Sequence, residues 1–147
     1  DDYDHGTISK PKGKNSIYEL TYKECRELID SMKFNSSVFG IEKEKGKLEG
    51  ILAAIYQNVF GEELYPSIEE KAANLLYFII KDHPFADGCK RIGASLFLEF
   101  LNKNKHLIID GKQIISNSAL VAITLMIAES RPEEKETMVR LVMNFLR

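Results

Sequence analysis

Apolar residues along this chain recur at three- and four-residue intervals rather than at alternate positions, and that period predicts helices. The first helix runs from about Thr21 to Met32. A second apolar stripe, Leu48, Ile51, Leu52, Ile55 and Val59, predicts a helix over Lys47 to Val59. Ser67 to Lys81 makes a third, with Ala72, Leu75, Leu76, Ile79 and Ile80 inward. The fourth begins near Gly88 and carries Ile92, Leu96, Phe97, Phe100 and Leu101 almost all the way round, which places it centrally. Helices over Ser118 to Ser130 and Glu133 to Leu146 complete the set.

The polar punctuation agrees. Thr21 with Glu24, Ser67 with Glu70 and Ser130 with Glu133 have the spacing of capping boxes, in which a hydroxyl and a carboxylate satisfy orphan backbone donors. Pro132 suits the first turn of the last helix. Asp110-Gly111, set between apolar runs in Leu107–Ile115, signals a small β-hairpin. Residues 1–15, DDYDHGTISKPKGKN, show no period and read as a tail or linker, leaving 16–147 as the domain. The fold class expected is all-α, a helical bundle with a small β-hairpin.

Composition narrows the classes. A length of 147 residues fits one domain, and 44% hydrophobic with 29% charged residues excludes wholesale disorder. Twenty Lys+Arg against twenty-two Asp+Glu leave a net charge of −2, which argues against holding nucleic acid or anionic lipid by bulk charge. No apolar run approaches a membrane span and no signal-peptide pattern opens the chain. Cys25 and Cys89 are too few for a disulfide framework and lack metal-ligand spacing. A reduced, cytoplasmic domain is the expectation, and the opening at Asp1 without Met reads as a partial or trimmed chain.

One segment does not read as packing. Lys81-Asp-His-Pro-Phe-Ala-Asp-Gly-Cys-Lys-Arg91 joins two buried helices, yet it concentrates chemistry where a few bland polar residues would serve. Pro84 stiffens the backbone and disfavours helix at His83. Phe85 can anchor the loop by burying its ring. Asp87 suits an N-cap, and Gly88 allows close backbone approach. A glycine turn feeding a helix start presents unpaired N–H groups and the positive end of a dipole, which together make an anion site. Lys90 and Arg91 add cations to that rim, although the dipole disfavours them there unless something anionic offsets the cost. The Asp87 carboxylate can hold Mg²⁺ against phosphate oxygens, and His83 is the natural general base for an attacking hydroxyl.

HPFADGCKR, residues 83–91, resembles the Fic/Doc (Fido) signature HPFx(D/E)GN(G/K)R at every position except Cys89. The lead-in over residues 46–85 is also similar to that family, and the likeness covers about residues 40–130. The resemblance implies ATP–Mg²⁺-dependent modification of a protein Ser, Thr or Tyr hydroxyl, either by AMP (AMPylation) or, in Doc-type members, by the γ-phosphate. Carried over by position, His83 is the base, Asp87 the Mg²⁺ ligand, Pro84 and Phe85 the structural anchor, and Gly88, Cys89, Lys90 and Arg91 the phosphate site. The resemblance also implies that the target protein docks by strand addition to a flap in or near Phe39–Leu48, where Gly40 and Gly46 bracket a charged turn.

Three departures qualify the carry-over. Cys89 replaces the family's Asn, and a thiol donates only weakly, so activity would fall by about 10²–10³ on analogy with a lost oxyanion donor. A catalytically impaired binding module is therefore the alternative reading. Lys90 stands where AMP-transferring members usually have Gly and Doc-type members Lys, which favours Doc-like phosphorylation. Ala94 stands where many members have a second Arg, and no internal inhibitory motif is present, so restraint would come from an external inhibitor or antitoxin. Elsewhere, Cys25 reads as core, His5 and His106 as surface, and Tyr56, Tyr65 and Tyr77 as the tyrosines able to stack a base.

Overall fold

The first capping box forms as its residues dictate. The Glu24 N–H donates to the Thr21 hydroxyl at 3.2 Å and the Thr21 N–H to the Glu24 carboxylate at 3.0 Å, opening α1 (Tyr22–Ser31). The computed structural model describes residues 8–11, 13, 15, 18–32 and 36–147. The expected tail falls partly outside them, as does His5. Its described part lies against the domain, with Lys10 paired to Glu70 at 2.7 Å and Asn144 donating to the Ser9 carbonyl at 3.1 Å.

The second helix is shorter than its apolar stripe. α2 spans Lys47–Ile55, after which β1 (Asn58–Val59) turns back onto β2 (Glu62–Glu63) as an antiparallel hairpin. Phe60 at φ 53° and Gly61 at φ 82° supply the two left-handed residues that such a turn requires. Val59 is consequently half exposed instead of closing the stripe. α3 (Ile68–Asp82) starts at Ser67, whose hydroxyl accepts from the Glu70 N–H at 3.0 Å, while the Glu70 carboxylate turns to Lys10.

α4 (Cys89–Lys103) follows the loop, then β3 (Ile108–Ile109) and β4 (Lys112–Gln113) pair around left-handed Asp110 and Gly111, as the Asp-Gly signal predicts. α5 (Asn117–Glu129) is capped by Ser116, two residues before the expected start. Ser130 does not open the last helix. Its N–H closes α5 on the Ile127 carbonyl at 3.1 Å, and Glu134 takes the Arg131 N–H at 2.8 Å, leading through a short 3-10 turn at Pro132–Glu134 into α6 (Lys135–Phe145). Among the described residues the fold is thus six α-helices and two two-stranded hairpins, and no helix is long and apolar enough to cross a membrane.

The centre is α3 packed on α4 and α6, flanked by α2 and α5. Ile92, Leu96, Phe97, Phe100 and Leu101 of α4 are all fully buried, as the wrap-around pattern requires. His106 belongs to this interior and not to the surface. The chain turns inward after α4 at Lys105 (φ 58°), and His106 Nε2 lies 2.6 Å from the Leu146 carbonyl and 3.1 Å from Glu69. A short sequence window offers no trace of that remote carbonyl.

Gly93 sets how closely α4 lies on α3, since a Cβ built there meets Ile79 Cγ2 at 3.3 Å and Leu76 Cδ1 at 3.5 Å. Overpacking of that seam costs about 1–3 kcal/mol. Gly93→Val is expected to lower unfolding free energy by that amount in urea denaturation, with an unchanged m-value.

Candidate active site

His83 ends α3 in a left-handed conformation, φ 48° and ψ 58°, which turns the chain out of the helix just before Pro84. Pro84 and Phe85 are buried, Phe85 to 1% exposure, and they fasten the loop to the core. Ala86 and Asp87 face outward. Gly88 then opens α4 at φ 95°, with no side chain capping the helix. The expectation that Asp87 is the N-cap is corrected here. Gly88 occupies that place, and the Asp87 backbone is occupied by a neighbouring segment, which leaves its carboxylate exposed.

That segment is residues 39–43. Phe39 bridges Asp87 in parallel sense and Glu42 bridges Phe85 in antiparallel sense. The Gly40 N–H donates to the Asp87 carbonyl at 3.1 Å, the Ala86 N–H to the Ile41 carbonyl at 2.8 Å, and the Lys43 N–H to the Pro84 carbonyl at 2.9 Å. The Phe39 ring lies over Gly88, where a Cβ would fall 2.3 Å from Phe39 Cε1. Glycine is thus required twice at position 88, by its φ and by this roof. The expected flap region therefore carries two isolated bridges to the motif loop, at Phe39 and Glu42 on either side of left-handed Gly40, and α2 from Lys47, capped at Gly46.

An open cleft of about 370 Å³ is lined by His83 and by every residue from Phe85 to Arg91. His83, Asp87, Lys90 and Arg91 are exposed around it. No ion pair among the described residues engages Asp87 or Lys90. Two cations at an uncapped helix N-terminus oppose the dipole, and an anion in the cleft would reverse the sign of that interaction. A carboxylate outside any ion pair, a helix start without a side-chain cap and flanking cations match a phosphate chain carrying a hard cation. The residues present fit a phosphate chain with Mg²⁺.

Cys89 is different. It is 7% exposed and its Sγ donates to the Phe85 carbonyl at 3.4 Å. Burial pushes the thiol pKa up, which disfavours the thiolate. Cys25 is fully buried, its pKa pushed up to about 12 by burial, in keeping with a core role. Lys81 serves the fold, donating to the Ser130 carbonyl at 2.7 Å at the end of α5. None of the three tyrosines able to stack a base lines the cleft. Tyr56 instead accepts the Leu20 N–H at 2.7 Å, and Tyr77 is buried. Sequence reasoning missed Phe39; the signal available was an aromatic directly before Gly40, within the expected flap.

A sequence model described as the Fic/DOC family matches residues 16–101, a span that holds the whole motif loop. The chain is 32% identical over 78 residues to Toxin Doc of Mycolicibacterium smegmatis, covering 51% of this chain and 60% of that protein. It thus spans about three fifths of that relative's length. No solved structure matches.

Gly88→Ala meets both the left-handed φ and the Phe39 ring, with strain of about 1–3 kcal/mol. Urea denaturation is expected to show that loss. Adding Phe39→Ala should recover part of it, because the clash goes and the φ penalty stays; no recovery would mean that the ring is not the obstacle.

Proposed function

The chain belongs to the Fic/DOC family, and on that premise we propose that it transfers the γ-phosphoryl group of ATP to a protein Ser, Thr or Tyr hydroxyl. The observation that carries this reading is the single cleft that gathers His83, Asp87 and the Gly88–Arg91 helix start. His83 takes the proton from the attacking hydroxyl, the new O–P bond forms as the β–γ bridging bond breaks, and ADP leaves. Asp87 would hold Mg²⁺, which when bound neutralises charge on the phosphates. The amides after Gly88, with Lys90 and Arg91, bind and orient the phosphate chain. Lys90, exposed at the cleft rim, favours phosphoryl over AMP transfer, because a long cation there crowds the pose that AMP transfer needs.

The acceptor is a protein segment docked by strand addition on residues 39–43. Strand alternation supports this: the Ile41 carbonyl and the Lys43 N–H face the motif loop, so the Glu42 N–H and carbonyl between them point the other way. Restraint comes from a separate chain, an external inhibitor or antitoxin, in line with a relative that is a toxin. A cytoplasmic setting supplies ATP and keeps Cys25 and Cys89 reduced. A second reading, an impaired nucleotide-binding module, is favoured by one observation: the Cys89 Sγ bonds the Phe85 carbonyl and offers phosphate no donor.

Incubation of a lysate with Mg²⁺ and either α- or γ-labelled ATP separates these. The reading predicts γ-label on protein, reduced at least about 10²-fold by His83→Ala. α-Label on protein would establish AMP transfer instead. If the wild type transfers neither label and Cys89→Asn raises transfer by about 10²–10³, the impaired module is correct.

A further inference from the structure

Glu42 ties together three elements that the cleft itself does not use. Its side chain is 13% exposed. The Tyr22 hydroxyl of α1 donates to its carboxylate at 2.5 Å, the Leu48 N–H of α2 at 3.2 Å, and the Arg26 guanidinium lies 3.7 Å away. Arg26 in turn donates to the Gly40 carbonyl at 2.9 Å and to Asp30 at 2.7 Å. Gly46 opens α2 with no side chain of its own to cap it, so the carboxylate from position 42 serves the helix instead. α1, α2 and the bridged segment 39–43 therefore meet on one anion. The other side of that segment is the motif loop, held through the Gly40, Lys43 and Ala86 amides.

We propose that Glu42 is a positioning residue for the transfer reaction: by clamping residues 39–43 to α1 and α2, it fixes the Ala86 and Asp87 backbone and so aims the Asp87 carboxylate into the cleft. This rests on the transferase reading of that cleft. Gly40 is left-handed at φ 71°, and its carbonyl is anchored by Arg26, the residue that also faces Glu42. Without the carboxylate, Tyr22, Arg26 and Leu48 lose a shared acceptor, and the run that carries Gly40 N–H and Ile41 C=O loses its register against the loop. Leu48 is fully buried and Tyr22 and Arg26 are partly so, and a donor left unsatisfied away from water costs more than the bond itself gains. A purely local role, capping α2, would stop at α2.

Amide hydrogen exchange distinguishes the two, read residue by residue in the full chain. In Glu42→Ala, the amides of Gly40, Lys43 and Ala86 are expected to exchange at least ten-fold faster, while those of α4 to α6 do not change. Glu42→Gln keeps an oxygen that accepts from Tyr22 and Leu48 and should restore most of the protection. Tyr22→Phe removes one donor only and should give a smaller acceleration at the same three amides, which keeps the test open if Glu42→Ala does not fold. Ser67→Ala removes a cap at the far end of α3 and should leave the three amides as they are. γ-Label transfer at saturating ATP should fall about ten-fold in Glu42→Ala, and the Mg²⁺ concentration needed for half-maximal transfer should rise, as expected for a displaced Asp87 carboxylate. Acceleration confined to α2, or an equal response to Ser67→Ala, overturns the proposal. So does label transfer in Glu42→Ala at the wild-type rate, which leaves the transferase reading intact. A wild type that transfers no label, yet shows the exchange pattern, supports the clamp and removes the transferase reading.

Discussion

Three main-chain hydrogen bonds between residues 40–43 and 84–87 are the constraint on which the candidate site depends. A loop between two helices has no ladder of its own, and its polar backbone groups must find partners or water. Here the partners come from a bridged segment more than forty residues upstream. The segment takes up the Pro84 and Asp87 carbonyls and the Ala86 amide, so the Asp87 carboxylate is free for other chemistry. Phe85 below and Phe39 above then fix the loop against the core and over Gly88. His83 and the start of α4 face one cleft because both ends of the loop are pinned.

The electrostatics follow from that geometry. α4 begins on a left-handed glycine without a capping side chain and carries Lys90 and Arg91 in its first turn, where the dipole disfavours cations. The first turn itself holds no acidic residue. The phosphate chain proposed for the cleft would complete that arrangement, because helix-start amides and cations both favour an anion. Cys89 is the discordant residue: a buried thiol turned to the Phe85 carbonyl. It packs the helix start, with its thiol turned away from the cleft's polar rim to the loop backbone.

Much of this was legible in the sequence. The apolar period exposed every helix, and Asp110-Gly111 exposed its hairpin, because these depend on neighbours three or four residues away at most. The motif residues His83, Asp87, Gly88, Lys90 and Arg91 were legible for the same reason: one short loop carries them all. What could not be read depended on remote partners. The α2 stripe gave no warning that Phe60 would accept a left-handed turn. The role of Asp87 as N-cap was lost to a hydrogen bond from Gly40, and His106 was drawn inside by the carbonyl of Leu146. The Glu42 contacts to Tyr22 and Leu48 join residues from three separate elements, a pattern that local spacing cannot reveal.

The most direct test of the account is a crystal structure of the protein with Mg²⁺ and a non-hydrolysable ATP analogue. The account predicts phosphate oxygens on the amides that follow Gly88, with the metal on Asp87 and the transferable phosphorus facing His83. A nucleotide seated elsewhere, or phosphates that avoid the start of α4, would contradict it.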